Sequence, residues 1–157
     1  MEKKWLSVFG KMTYGIYALT TAFEDKINGM IASWVSQISY APPLITVAVH
    51  PDRYSHDLIS QSKCFALHVL SKDQKDFLKR FKGPDPAAKF SNIEWIKGKT
   101  GSPVFNDCAA WFECEVINSF NPGNHTVFIG KVVNAKNLSE KPVMSTADYD
   151  GAYIGKS

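Results

Sequence analysis

The sequence predicts a mainly β protein that folds as an antiparallel Greek-key barrel with a few short helices. Roughly six or seven segments rich in β-branched and aromatic residues are separated by turn sequences. The helical segments among them are too few and too short for the regular crossovers of a parallel sheet. With 157 residues, the chain can form one domain with a real core. We therefore predict a single domain over residues 1–157.

The first predicted strand covers residues 14–21, which are enriched in β-branched and aromatic side chains. A polar turn follows at residues 24–26. The dipeptide Asn28-Gly29 favours a tight hairpin connection. We therefore expect the first strand to pair antiparallel with a second strand that begins at Met30.

The second and third strands frame the part of the chain around which we expect a ligand site. Residues 30–36 contain Ala and Ser among their β-formers, so a flat polar ligand could approach this backbone closely. Pro42-Pro43 predicts a corner. The apolar run at residues 44–49 is typical of a strand covered on both faces.

A short helix is predicted over residues 56–62, with Ser55 as its N-cap and Arg53 just before it. The free N–H groups of a helix start, together with a guanidinium group, can bind phosphate. An arginine salt-bridged on the surface beside a simple cap is the alternative. Composition alone favours this alternative.

The middle of the chain predicts a strand at residues 65–70 and then a helix, because residues 71–74 form a capping-box sequence. The apolar side chains of this helix, which fall on one face, are Phe77, Leu78 and Phe81. Residues 83–93 are expected to form a long surface loop. Lys89 in this loop is either a solvated lysine or a cation directed toward a phosphate.

The last predicted hairpin pairs a long strand at residues 109–120 with a strand at residues 126–133. His125 stands at the start of the second strand. Glu113 and Glu115 share a strand face, and we interpret them as surface or interface charges. The tail at residues 139–157 is polar.

Composition excludes several classes of function. The net charge is +3 and the basic residues are mostly dispersed, so nucleic-acid binding is not supported. No apolar run approaches the roughly 20 residues that span a bilayer, and the N-terminus lacks the apolar core of a signal peptide, so we expect a cytoplasmic protein without membrane contact. Cys64, Cys108 and Cys114 form no C-x-x-C pair and are predicted to be inert buried thiols. We predict no metal site.

The stretch at residues 28–51 reads NGM-x-A-S-W-V-x-Q-x-S-x-x-P-P-L-x-x-V-A-V-H-P, and Arg53-Tyr54-Ser55 follows it. This pattern resembles the flavin reductase-like FMN-binding split-barrel family. Residues 13–21 and 123–132 agree with the family in order and spacing, so the resemblance extends over roughly residues 11–135. It implies a split barrel that binds FMN.

The resemblance also implies which residues contact the cofactor. Those in the first segment, which would line the flavin, are Asn28, Gly29, Met30, Ala32, Ser33, Trp34, Ser36 and Gln37. Those in the second segment, which would contact the phosphate or ribityl chain, are His50, Arg53, Tyr54 and Ser55. Lys89 is included as a candidate cation for the phosphate.

His125 matches a family position implicated in nicotinamide binding. Flavin reductases of this family often carry Gly-Asp-His at this turn, whereas this chain has Gly123-Asn124-His125. The difference removes a charge that would orient the imidazole or raise its pKa. It therefore bears on the use of NADH or NADPH more than on FMN binding. From composition alone, an exposed turn histidine is the alternative.

The resemblance predicts an NAD(P)H-dependent oxidoreductase that passes electrons to free flavin, ferric iron or a small redox protein such as rubredoxin. Its A-S-W-V sequence is similar to the flavoredoxin and rubredoxin-reductase branch. Flavin N5 would carry the chemistry, so no catalytic side chain is predicted. A homodimer with the flavin near its interface is implied. Two alternatives stay open: an FMN-holding electron carrier without its own nicotinamide site, and a barrel-shaped ligand-binding module with a vestigial cofactor site.

Overall fold

The computed structural model describes residues 1–148, so the last part of the polar tail, residues 149–157, lies outside the described residues. The helices are α1 (Lys3–Phe9), α2 (Tyr54–Ser62), α3 (Lys75–Arg80) and α4 (Pro86–Phe90), with a 3-10 turn at Thr146–Asp148. The strands are β1 (Tyr17–Phe23), β2 (Lys26–Ala32), β3 (Val35–Tyr40), β4 (Pro43–Val49), β5 (Cys64–Val69), β6 (Ile96–Lys97), β7 (Pro103–Val104), β8 (Ala110–Phe120) and β9 (Thr126–Asn137).

Seven of the strands form one antiparallel sheet in the order β2-β1-β5-β8-β9-β4-β3, and β6 pairs with β7 separately. The predicted mainly β class with a few short helices is confirmed. The chain therefore leaves β2, which is one edge of the sheet, and enters β3 at the other edge. The residues between them, Ser33 and Trp34, belong to neither strand, so the strand predicted over residues 30–36 is interrupted there.

The β1–β2 pairing and the polar turn predicted at residues 24–26 are confirmed, but Asn28-Gly29 is not part of that turn. The turn lies at Glu24 and Asp25, and Glu24 adopts a left-handed φ of 56°. Asn28 and Gly29 pair with Thr21 and Thr20 inside the ladder. The Asn28-Gly29 dipeptide was expected to form a tight turn, and it is instead held in β2 by contacts from distant residues that are described below.

The helix boundaries differ from the predicted ones in three places. Arg53, rather than Ser55, is the N-cap of α2, and Ser55 lies inside the first turn. Gln74 is the N-cap of α3; its side chain accepts a bond from the Ser71 backbone N–H, but residues 71–74 form a separate turn before the helix. The long loop predicted at residues 83–93 contains α4, whose N-cap Asp85 accepts a bond from the N–H of Ala87.

The core contains two clusters of buried apolar side chains. One lies under α3 and α4, and the other lies between the strands of the sheet. His68 is buried in the first region and stacks on Phe105 at a centroid distance of 3.8 Å. Its Nε2 accepts the N–H of Phe105, so its Nδ1 donates to the carbonyl of Ala18. Burial lowers the pKa of His68 to about 4, so the ring is neutral.

Glu113 is buried, so the prediction of a surface charge is wrong for this residue. Its carboxylate accepts bonds from the backbone N–H groups of Lys99 and Thr100, the Thr100 hydroxyl and Asn134 Nδ2. Burial raises the pKa of Glu113, but these hydrogen bonds outweigh burial and hold the pKa below its usual value. The carboxylate therefore anchors the turn at residues 98–102 to β8. Glu115 is exposed, as predicted.

Candidate functional site

Asn28, Ser55 and Lys89 form a buried hydrogen-bonded group where β2, α2 and α4 meet. Asn28 Nδ2 donates to the Ser55 hydroxyl at 2.9 Å. Lys89 Nζ donates to Asn28 Oδ1 at 3.0 Å and to the Gly29 carbonyl at 2.8 Å. All three polar side chains are buried. Residues from three predicted segments therefore converge, and the expectation of a solvated Lys89 is wrong.

Two cations lie close together at this group. The pKa of Lys89 is lowered chiefly by burial and also by repulsion from Arg53, while Asp85 opposes the shift. Arg53 is exposed and precedes the first turn of α2, whose free N–H groups carry a partial positive charge. An anion bound here would relieve the repulsion between Lys89 and Arg53. The charge and donor set of these residues therefore fit a phosphate group.

Gly29 is required by packing against α3 and α4. A Cβ atom at this position would lie 2.5 Å from the ring of Phe81 and 3.3 Å from the ring of Phe90. The two rings pack edge to face at a centroid distance of 5.9 Å. The rings of Phe81 and Phe90 therefore occupy the space that a side chain at position 29 would need, while the Gly29 carbonyl accepts a hydrogen bond from Lys89. The close approach is the reason why glycine follows Asn28 within a strand.

Trp34, His50 and His125 form a cluster of rings at a second point of the site. The Trp34 and His125 rings are tilted at a centroid distance of 4.7 Å, and the His50 and His125 rings meet edge to face at 5.1 Å. The Trp34 carbonyl accepts the N–H of Ala48, which fixes the crossing between β2 and β3 against β4. Residues that are up to 91 positions apart in sequence are thereby brought together.

His125 is buried, contrary to the alternative of an exposed turn histidine. Its Nδ1 lies 2.8 Å from Asn124 Oδ1, the position at which the family often has a carboxylate. Burial lowers the pKa of His125, and His50 and Arg53 lower it further. The imidazole is therefore neutral at neutral pH. In that form Nδ1–H donates to Asn124, and Nε2 is an acceptor.

His56 was assigned no role at this site by the sequence. Its Nε2 lies 2.7 Å from the hydroxyl of Thr126, the residue after His125. Its ring also packs against Phe128 at a centroid distance of 5.3 Å. The helix that carries Arg53 and Ser55 is therefore joined directly to the strand that carries His125. No local sequence signal marks this pair, because its members are 70 residues apart.

The remaining predicted residues lie around these two groups. Ala32 and Ser33 are buried, and Met30 is half-buried. Ser36 and Gln37 are exposed on β3 and bond locally, to the carbonyls of Gln37 and Ser39 respectively. Tyr54 is exposed in the first turn of α2. The structure thus groups Asn28, Ser55, Lys89 and Arg53 at one point and Trp34, His50 and His125 at another, with residues 30–33 leading from the first group to the second.

Two kinds of feature are absent from residues 1–148. No group of three or more His, Cys, Asp or Glu side chains there could hold a metal ion. None of the helices in the same range has the length and the apolar character that crossing a membrane requires.

The three cysteines are free, with Cys64 half-buried and the other two buried. Burial raises the pKa of Cys108 and Cys114 to about 12, so these two thiols are protonated.

Comparison with known proteins adds curated relatives to this geometry. The chain is 31% identical over 156 residues to a ferric-chelate reductase (NAD(P)H) from Archaeoglobus fulgidus, covering 97% of this chain and 92% of that protein. It is 34% identical over 132 residues to diflavin flavoprotein A 1 from Synechocystis, covering 81% of this chain. The chain spans only 23% of the length of that diflavin protein.

A solved structure and a family model agree with these relatives. An NADH:FAD oxidoreductase from Streptomyces globisporus, in complex with NAD and FAD fragments, superposes with a TM-score of 0.82 at 26% identity, covering 90% of this chain and 86% of that one. The model of the flavin reductase like domain matches residues 9–155. The predicted family and barrel fold are therefore confirmed. The chain belongs to the family of flavin reductase like domains.

Proposed function

We propose that this protein binds FMN at the site described above and uses it to pass electrons from NADH or NADPH to an acceptor. The observation that carries the proposal is the buried Asn28–Ser55–Lys89 group beside Arg53. Two cations and the start of a helix together form a binding site for a phosphate. Riboflavin would lack the group that this arrangement recognises.

Each part of the site has a separate role in this proposal. Lys89 and Arg53 neutralise the phosphate, and Ser55 supplies a hydroxyl next to it. The backbone and small side chains at residues 30–33 lie along the flavin ring system. Trp34 limits the access of water at one end of that ring system. FMN would supply the redox chemistry at its N5 atom. The protein then contributes position and electrostatics, and no protein nucleophile is needed.

His125 positions the nicotinamide in this proposal. Its ring is held between Trp34 and His50, and its neutral state avoids placing a fixed cation beside the positive charge of an oxidised nicotinamide. Asn124 orients the ring through Nδ1 without adding a charge. The hydrogen bond between His56 on α2 and Thr126 fixes the start of β9, directly after His125.

The proposed acceptor is free flavin, ferric iron or a small redox protein. Ferric iron is supported by the name of the Archaeoglobus relative, whose length the chain almost fully spans. We also propose a cytoplasmic homodimer with the flavin near its interface, as the family resemblance implies. Exposed apolar side chains such as Tyr40 on β3 and Phe120 on β8 leave surface for contact with another chain.

The second candidate is an FMN-holding electron carrier that a protein partner reduces. It is favoured by Asn124, which stands where flavin reductases of this family often have Asp. Both candidates predict bound FMN, so only the response to nicotinamide separates them.

The deciding experiment is an anaerobic visible spectrum of the purified protein loaded with FMN, recorded before and after addition of NADH and then NADPH. Bleaching of the flavin by either nucleotide, at a rate well above that of free FMN, supports the oxidoreductase. A protein that stays yellow with both nucleotides but is bleached by dithionite supports the carrier. Failure to retain FMN through gel filtration, with no binding in a titration, contradicts both.

A further inference from the structure

The hydrogen bonds of the buried Asn28–Ser55–Lys89 group have a direction that Lys89 determines. An ammonium group has three N–H donors and no acceptor. Asn28 must therefore turn its Oδ1 atom toward Lys89 Nζ, which lies 3.0 Å away. The amide nitrogen of Asn28 then faces Ser55, and Nδ2 donates to the Ser55 hydroxyl oxygen at 2.9 Å. The charge of Lys89 thus fixes the orientation of the Asn28 amide.

Two donors of this group are left for a ligand. Lys89 gives one N–H to Asn28 Oδ1 and a second to the Gly29 carbonyl, which lies 2.8 Å from Nζ. Its third N–H has no acceptor within residues 1–148. Because the Ser55 oxygen receives a hydrogen bond from Asn28, the Ser55 O–H is directed away from Asn28, and it also has no acceptor in that range.

The acceptors of the group are already in use. Asn28 Oδ1 and the Gly29 carbonyl receive hydrogen bonds from Lys89, and the Ser55 oxygen receives one from Asn28. The guanidinium of Arg53 and the free N–H groups in the first turn of α2 are donors only. A protonated phosphate oxygen would direct its hydrogen at these donors or at oxygens that already receive a bond. The group therefore suits a phosphate that carries no proton.

The charges around Lys89 lead to the same form of the ligand. Lys89 and Arg53 are both cations, and Arg53 lowers the pKa of Lys89 more than Asp85 raises it. A doubly charged anion balances these two cations, whereas a singly charged anion leaves one of them uncompensated. The other residues on β2, α2 and α4 that are charged or titrate near neutral pH are Lys26, His56 and Asp57.

Asparagine at position 28 keeps the charge of Lys89 available. A buried lysine is ordinarily paired with a carboxylate, because an uncompensated charge is costly to bury. Asn28 accepts the hydrogen bond that an aspartate would accept, but it does not neutralise the ammonium group. An aspartate would also accept the hydrogen of the Ser55 hydroxyl. The amide therefore leaves both the charge and the Ser55 donor to a ligand.

We propose that Asn28 is a positioning residue that makes this site selective for the doubly charged phosphate monoester of FMN. A phosphate monoester loses its second proton with a pKa of about 6, so it is mostly doubly charged at neutral pH. The phosphodiester of FAD carries one negative charge on each phosphorus, so Lys89 would face half the charge. This inference rests on the proposed FMN site and adds the ionisation state and the type of phosphate ester that the site accepts.

The first test compares flavin affinities between pH 8 and pH 5 by fluorescence titration of the FMN-free protein. The affinity of FMN relative to that of riboflavin should fall about tenfold over this range, as the phosphate takes up a proton with a pKa of about 6. The histidines of the Trp34, His50 and His125 cluster act on both flavins, so their titration cancels in this ratio. FAD should bind more weakly than FMN at pH 8, and its affinity relative to that of riboflavin should not change with pH.

The second test reads the ionisation of the bound phosphate directly by ³¹P NMR. The signal of free FMN should shift with pH around the second pKa of its phosphate, about 6. The signal of FMN bound to the wild-type protein should keep the position of the doubly charged form down to pH 5. A bound signal that shifts with a pKa of 6 or above would overturn the inference.

Asn28→Asp tests the role of the amide, because it keeps the shape of the side chain and supplies a carboxylate to Lys89 and Ser55. FMN affinity at pH 8 should fall at least about 30-fold, while riboflavin affinity should change less than about threefold. The affinity of FMN relative to riboflavin should then no longer fall toward pH 5. Gln61→Glu makes the same change of charge at an exposed position of α2 and should alter FMN affinity less than about threefold.

The outcomes separate this inference from the proposed function. Equal affinities for FMN and riboflavin at every pH would refute the phosphate site itself, and with it the proposed FMN binding. A preference for FMN over riboflavin that does not depend on pH would overturn this inference alone. Binding of FAD as tight as that of FMN at pH 8 would also overturn it, as would an Asn28→Asp variant that binds FMN like wild type. The two wild-type measurements decide the matter if Asn28→Asp does not fold.

Discussion

Replacing Lys89 with Met tests the proposed phosphate site directly, because Met keeps the length of the side chain and removes its charge. The ammonium group has two acceptors, Asn28 Oδ1 at 3.0 Å and the Gly29 carbonyl at 2.8 Å. Leaving both acceptors without this donor costs about 1–3 kcal/mol each. The burial of the ammonium group and its repulsion from Arg53 disappear at the same time. We therefore expect the FMN-free protein to lose only about 1–2 kcal/mol of unfolding free energy.

The effect on FMN binding should be larger and specific to the phosphate. A charge-assisted contact between Lys89 and a phosphate contributes about 1.5–3 kcal/mol, so Lys89→Met should weaken FMN binding about 10- to 150-fold. Riboflavin has the same ring system and no phosphate, and its affinity should change less than about threefold. Lys79→Met is the matched control, because Lys79 is an exposed lysine on α3.

Fluorescence titration of the FMN-free protein with both flavins gives the two affinities, and urea unfolding gives the stability. The proposal is refuted if Lys89→Met binds FMN as tightly as wild type does. It is also refuted if the variant loses FMN and riboflavin equally while its unfolding free energy is intact, because Lys89 would then act on the ring system. A variant that no longer folds is set aside in favour of Lys89→Gln, which keeps a donor for the Gly29 carbonyl.

Four further predictions follow from the same contacts. Arg53→Ala should weaken FMN binding by about 1.5–3 kcal/mol, and unchanged affinity in the same titration would remove Arg53 from the site. His125→Ala should slow flavin reduction by nicotinamide in anaerobic stopped flow at least about tenfold with little change in FMN affinity, and His125 has no role if both are unaffected. The pKa of His68 is about 4 in the folded chain against 6.5 in the unfolded chain, so the unfolded chain binds more protons between these pH values, and the unfolding free energy should fall by about 3 kcal/mol as pH drops from 6.5 to 4. In urea unfolding, His68→Gln should reduce this dependence of the unfolding free energy on pH. An unchanged pH dependence would contradict the assignment to His68. Glu113→Gln replaces one carboxylate oxygen with an NH₂ group, which cannot accept hydrogen bonds from the donors of Lys99 and Thr100, and should cost about 2–4 kcal/mol of unfolding free energy. A loss below about 0.5 kcal/mol would mean that the turn at residues 98–102 does not depend on the carboxylate.

The strands were predictable because their signal is local. The apolar run at residues 44–49 lies within β4 (Pro43–Val49), and the strands predicted at residues 65–70 and 109–120 match β5 and β8 within one residue. Alternation and β-branched content record which side chains are buried, and burial is what a sheet position requires. The sequence signals for turns and for the ends of helices were less informative. A turn dipeptide or a capping sequence favours its local structure by only about 1 kcal/mol, which tertiary contacts can override.

Two errors of this kind lie inside the candidate site. Asn28-Gly29 reads as a turn, but the Asn28 side chain bonds Ser55 and Lys89, and Gly29 is required by the ring of Phe81. The sequence from Gly83 to Pro86 is typical of a helix end and therefore predicts a loop at Lys89. Asp85 followed by a proline is also an N-cap with Pro at the first helical position, and that signal predicts the start of α4. Asp85-Pro86 therefore predicts a helix that contains Lys89, as the structure has it.

The surroundings of His125 explain how this chain can depart from its family at Asn124. A carboxylate at that position would hold a positive imidazole, whereas the structure surrounds His125 with groups that favour the neutral ring. Burial, His50 and Arg53 all lower its pKa, and Arg53 also belongs to the proposed phosphate site. His56, on the same helix as Ser55, bonds the residue next to His125. The proposed phosphate site and the proposed nicotinamide site are thus connected through α2. An uncharged Asn124 is consistent with that arrangement because it orients the ring while leaving it neutral.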